Sequence, residues 1–214
     1  MTRTRAFTLI ELLVSVAIIA LLIGIAMPSI SEARRISKTT RCQHNLHQIG
    51  IGIEAYLNVH KDYFPTLCRM QSIEPPIAAS LGIPPRPSLA RGLAKEFGRN
   101  SKVFECPADL VTEIDDTTRN LIISTGSKLG LGKRYFDTED TSYDWTTQVN
   151  GIHRRQKTVP MFEGSIPLPL KDVPIVFDYE PFHGGRRRVR STNNLYADLR
   201  VVATPSKITM TTGS

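Results

Sequence analysis

Asp178, His183 and Asp198 are spaced through the last fifth of the chain. Two carboxylates and an imidazole that converge can hold a divalent metal. The same residue types also shape turns, with Asp bonding its own backbone and His bonding a hairpin. Three cysteines, Cys42, Cys68 and Cys106, show no C-x-x-C pairing, so zinc is not indicated by spacing. Cys68 and Cys106 flank a proline-rich stretch that they could bridge. A reduced, buried cysteine is the equal alternative. No Ser-His-Asp order, nucleophile elbow or phosphate loop is visible, and the expectation is a protein that is not an enzyme. The residue that asks most for an explanation is Glu11. It stands alone in "AFTLIELLVSVAIIALLIGIAMPSI", where it is the only charge between Phe7 and Ile30. An acid in an apolar run of this length is expensive unless it has a partner, which makes it a functional candidate.

That run comes before every other element. As a helix, at about 1.5 Å per residue, Phe7 to Ile30 would span roughly 36 Å, enough to cross a hydrocarbon core of about 30 Å. Arg3 and Arg5 precede it. Basic residues before an apolar segment fit both a secretory signal peptide and a membrane anchor, and the apolar pattern alone leaves the two open. The net charge of +7 is local: besides the leading arginines, Arg186, Arg187, Arg188 and Arg190 form one cluster. No aromatic residue interleaves with that cluster, so base stacking is not suggested and nucleic acid is not an expected partner. A solvated hairpin tip is the favoured reading, ahead of an anionic headgroup or acidic partner.

After Pro28 the pattern changes. Thr39, Cys42, Leu46, Ile49, Ile53 and Tyr56 recur at steps of three and four, one face of an amphipathic helix. Gly50 and Gly52 are expected on the opposite face. Pro65 should end the helix, with Phe64 biased away from it. The reading is one helix from about Thr8 to about His60, membrane-embedded first and core-packed later. Residues 65 to 101 are expected to be irregular, with a short helix capped by Ser88 and running through Leu89, Leu93 and Phe97. Three segments read as strands: Thr158–Glu163, Val173–Asp178 and Asn194–Ala203. Pro160 and Pro174 suggest strand beginnings or edges. Without helix-strand alternation a parallel sheet is not expected. The predicted class is α+β, an antiparallel sheet laid on the outer half of the long helix. The domain plan is 1–6, 7–30, 31–64 and a globular part over 65–214.

The segment from Ala6 to Ile30 strongly resembles the N-terminal segment of type IV pilins and of type II secretion pseudopilins. The match is carried by Phe7, Thr8, Leu9, Ile10, Glu11, Leu12 and Leu13, with Pro28 where many members have a helix-kinking proline. The resemblance implies cleavage between Ala6 and Phe7 by a prepilin peptidase, then methylation of the Phe7 amine. Ala6 departs from the usual Gly. Glu11 would be the fifth residue of the processed chain, its carboxylate pairing with the N-terminal amine of a neighbouring subunit. Further on, "RCQHNLHQIGIGIEAYLNVHKDYFP", Cys106-Pro107-Ala108-Asp109 and "FHGGRRRVRSTNNLYADLRVV" resemble a pilin-like subgroup common in planctomycete-type bacteria. There Leu199 stands where Gly is expected and Arg200 where His is. Some pseudopilins bind calcium in a loop of this region, which would make Asp178 and Asp198 calcium ligands; no other cofactor is implied. The resemblance implies a structural subunit of a pilus or pseudopilus, first a type II secretion pseudopilin in protein export. A type IV pilin for adhesion or DNA uptake is the alternative, and a membrane-anchored binding module with a pilin-type leader a third. Its partners would be other pilin or pseudopilin subunits, the prepilin peptidase, an inner-membrane assembly platform and lipid. The N-terminus would be cytoplasmic, with one pass through the inner membrane and the C-terminal domain outside.

Overall fold

The computed structural model describes residues 9–97, 102–111, 114, 116–161, 166–179, 183 and 191–205. The leader, with Ala6 and Phe7, and the arginine cluster at 186–190 lie outside them. The chain divides into two compact units, Met1–Ser37 and Lys38–Ser214.

Helix α1 runs unbroken through Leu9–Val59, within a residue of both expected ends. Its first part is exposed along its whole length: Leu9, Ile10, Leu13, Ile18, Leu21 and Ile25 each leave more than half of their surface accessible. An apolar stretch long enough to cross a membrane lies here with none of it buried. Pro28 sits inside the helix. It has no N–H, so the Gly24 carbonyl four residues back loses its partner. Ser31 Oγ donates to the Pro28 carbonyl at 2.8 Å.

In the second unit the expected stripe is the core seam. Cys42, Leu46, Ile49 and Ile53 are fully buried, and Leu57 nearly so. Thr39 and Tyr56 are half-buried at the two ends. The glycines are not opposite this face. Gly50 and Gly52 are buried in it. A Cβ on Gly52 would lie 2.0 Å from the Phe97 ring, and one on Gly50 would lie 3.1 Å from Leu195. Each glycine costs helix propensity, roughly 1 kcal/mol against Ala. That cost is offset because each lets a neighbour pack directly on the helix backbone.

Among the described residues five short α-helices follow: α2 (Glu74–Ser80), α3 (Leu89–Gly92), α4 (Ala94–Phe97), α5 (Asp116–Thr125) and α6 (Tyr135–Glu139). Ser88 caps as expected, accepting from the Arg91 N–H, but the chain breaks at Leu93 into two single turns. Pro75 and Pro76 open α2, where a missing N–H is harmless; this helix was not expected in the proline-rich stretch.

The main sheet is antiparallel. Its strands are β1 (Tyr143–Trp145), β4 (Pro174–Asp178), β5 (Ser191–Tyr196) and β6 (Val201–Pro205), in that spatial order; β2 (Thr158–Val159) and β3 (Leu168–Pro169) form a separate pair. Tyr143, Trp145, Ile175, Val176 and Leu195 join the α1 seam in one core. Strand β1 was missed by the sequence reading, and the strand begun at Thr158 stops before Pro160 among the described residues. Asn194–Ala203 is not one strand: it holds the end of β5, a turn over 197–200 and the start of β6. The Leu199 N–H donates to the Tyr196 carbonyl, and the Tyr196 N–H to the Arg200 carbonyl. Leu199 takes φ +66° to close it, the left-handed conformation glycine adopts without strain.

Two substitutions test this seam. Ile49→Asp should abolish cooperative thermal unfolding of a fragment beginning near Ser31. An unpaired buried charge costs several kcal/mol against a total of about 5–15. Gly52→Ala should lower stability by about 1–3 kcal/mol in urea unfolding, since the Phe97 ring must leave its seat.

Candidate functional site

Glu11 lies in the first turn of α1, exposed among Leu9, Ile10, Leu12 and Leu13. The helix N-terminus favours a negative charge in this turn. Ser15 Oγ donates to the Glu11 carbonyl at 2.7 Å, which satisfies the hydroxyl inside the apolar stretch. The acid is thus set on a surface made almost wholly of apolar side chains.

A family model for the prokaryotic N-terminal methylation motif matches residues 1–27. The chain carries a type IV pilin-like prepilin leader. The motif supports a pilin-like subunit, and the long helix packed on an antiparallel sheet is the pilin-like arrangement expected from the sequence. A pilin-type leader implies processing and assembly with other pilin subunits in general, and with the apolar helix it fits membrane anchoring. No curated protein matches the chain, and no solved structure does.

The second unit holds a buried polar centre between α1 and the sheet. The Asp178 carboxylate is inaccessible. Its Oδ2 accepts from the Asn193 N–H at 2.6 Å and lies 3.3 Å from His183 Nε2. His183 Nδ1 lies 3.2 Å from Thr39 Oγ1, and Gln43 donates to the Asn193 side chain at 3.1 Å. Burial raises the Asp178 pKa above the usual carboxylate range, opposed by the His183 contact and the Asn193 bonds.

Asp198 is not part of this centre. It sits exposed in the β5–β6 turn, 3.2 Å from Arg200, and the same guanidinium reaches Asp172 at 3.2 Å. Tyr196, two residues before Asp198, pairs with Pro174 at the start of β4, while Asp178 ends that strand. The two expected calcium ligands therefore stand toward opposite ends of the β4–β5 ladder, each with its own partner, and do not form one ligand set.

The disulfide also differs from expectation. Cys42 and Cys106 are bonded across a separation of 64 residues. Cys68 is reduced and buried, its thiol donating to Gln71 Oε1 at 3.5 Å. Burial, with a smaller contribution from nearby Glu74, pushes that thiol up to about 12, which suppresses thiolate chemistry. Cys42 was legible as a stripe residue, but spacing carries no signal for its pairing.

The Cys-Pro-x-Asp stretch is structural. Asp109 Oδ1 accepts from the Tyr135 N–H at 3.0 Å, and Oδ2 from the Phe136 N–H at 2.8 Å and from Ser142 Oγ at 2.7 Å. The carboxylate thus satisfies the first turn of α6. Ser142 Oγ in turn accepts from the Cys106 N–H at 2.9 Å, which ties the disulfide to the residue just before β1. Glu139, fully buried, accepts from the Ser72 N–H at 2.8 Å and from the Ser72 hydroxyl.

Two outcomes follow. Cys42→Ser should cost about 4 kcal/mol in urea unfolding, because the cross-link closes a long loop. Cys68→Ala should cost only about 1 kcal/mol and leave the shift on non-reducing gels unchanged. Burial raises the Glu139 pKa, opposed by the Ser72 bonds. The native state then holds its proton to higher pH than the unfolded chain. This contribution is full below the ordinary carboxylate pKa of about 4 and lost as pH rises through the raised value. Thermal melts should show stability falling upward from about pH 4, with a shallower slope for Glu139→Gln.

Proposed function

We propose that this chain is a structural subunit of a filament assembled from the inner membrane, a pseudopilin of a type II secretion machine. It acts by packing and recognition, not by chemistry on a substrate. The observation that carries the reading is Glu11 within the methylation motif over residues 1–27, on a helix segment whose apolar surface is exposed all round. Such a surface needs lipid or neighbouring helices.

Cleavage after Ala6 would leave the Phe7 amine four residues before the Glu11 carboxylate. That carboxylate meets the amine of a neighbouring subunit displaced along the filament. At about 4 Å and an effective dielectric near 20, opposite unit charges attract by about 4 kcal/mol. In an otherwise apolar contact this sets the register. Arg3 and Arg5 stay on the cytoplasmic side by the positive-inside rule. The disulfide Cys42–Cys106 supports an outward domain, since such bonds persist in oxidising compartments.

Glu11→Leu tests the reading in one strain. The amount in the membrane and the fraction beginning at methylated Phe7 should equal wild type, while crosslinked multimers fall at least tenfold. Wild-type multimers would remove the register role. A mature N-terminus beyond Ile30 would show an ordinary signal peptide instead. Export of secreted proteins, scored beside surface adhesion and DNA uptake in a deletion strain, separates the pseudopilin from the pilin reading.

A further inference from the structure

We infer that the reduced form of this domain holds a single zinc-class metal ion between Cys42, Cys106, His183 and Asp178, in the place the disulfide occupies when oxidised. The three nitrogen and sulfur ligand atoms, all from buried residues, lie within 4.8 Å of one another. His183 Nε2 is 3.8 Å from Cys106 Sγ and 3.3 Å from Asp178 Oδ2. One ring nitrogen thus faces both the sulfur and the carboxylate. A nucleophile relay needs the acid on one nitrogen and the thiol on the other. Convergence on a single nitrogen is the arrangement of a metal site.

The two distances from His183 Nε2, to Cys106 Sγ and to Asp178 Oδ2, fit a tetrahedral ion. With bonds of about 2.05 Å to nitrogen and oxygen and about 2.3 Å to sulfur, the N–O edge is about 3.3 Å and the N–S edge about 3.6 Å. Reduction frees the two sulfurs to separate to the spacing of a metal dithiolate.

The outer groups fit as well. With Nδ1–H donating to Thr39 Oγ1, the Nε2 lone pair faces the centre. A second-shell bond of this kind fixes the tautomer of a metal-binding histidine. His183 is held on β5 by a two-way backbone bridge with Ser191, and Cys106 through its N–H bond to Ser142. Asp178 Oδ1 is buried without a hydrogen-bond partner among the described residues, a cost that a cation on the same carboxylate would reduce.

The chemistry balances. A dithiol or phosphine reductant gives two electrons to the S–S bond and is itself oxidised, leaving two thiols. Metal binding breaks two S–H bonds, forms two S–metal bonds and releases two protons to solvent. Metal and disulfide exclude one another. While the ion is bound, neither thiol can pair with the third cysteine, Cys68.

Cobalt serves as the probe, on the full-length chain in detergent. After phosphine reduction, one equivalent of Co2+ should give a thiolate-to-metal charge-transfer band and tetrahedral ligand-field bands. The oxidised chain should give neither. Zinc should displace the cobalt. His183→Ala and Asp178→Asn should each weaken cobalt binding at least tenfold, while Cys68→Ala leaves it unchanged. A reduced wild-type chain without the band, equal binding by the oxidised chain, or a band that disappears with Cys68 would each overturn the site. The comparison of oxidised with reduced wild type stands even if a variant fails to fold.

Discussion

One helix meets two incompatible demands. Over Cys42 to Leu57, α1 buries a single face against its own sheet, and the core closes around it. Over Leu9 to Ile30 the helix is apolar on nearly every side, and none of that stretch is buried among the described residues. No soluble monomer can satisfy that second stretch, because so large an exposed apolar surface drives association or insertion. The lone acid, the proline with its helper serine and the leader motif all belong to the half whose surroundings other molecules must supply.

The elements that were legible in the sequence were those with a strong period. The α1 stripe was readable from Thr39 to Tyr56 because a helix repeats its buried face every three or four residues. β4 was readable from its β-branched run, with Pro174 marking the start. Glu11 stood out as an acid where acids are costly. Short elements were not legible. β1, Tyr143–Trp145, is a strand because Asp178 and Val176 pair with its ends, which no three-residue window can show. Gly50 and Gly52 were misplaced because propensity records what a glycine costs and not which ring or methyl needs the space.

The site residues divided along the same line. Asp178 and His183 do meet, yet Asp198 turns away to Arg200, and Cys42 takes the partner expected for Cys68. Both corrections concern contacts between residues far apart in sequence. Such contacts are set by how sheet and helix stack, not by local spacing. The buried centre is assembled from α1, β4, β5 and the Cys106 segment, four stretches that carry no shared motif. Two of its buried side-chain atoms, Asp178 Oδ1 and Asn193 Nδ2, nevertheless have no hydrogen-bond partner among the described residues, a cost in a low-dielectric interior.

The β5–β6 turn closes through Leu199 in a left-handed conformation, and the Leu199 side chain lies 3.3 Å from where a Cβ of Gly50 would stand. The strained turn and the helix notch are thus one packing unit. In relatives of this chain the two positions should drift as a pair. Where the turn carries glycine, the Leu199 contact is gone, and Leu195, 3.1 Å from the same point, is the neighbour that must still give before position 50 takes alanine.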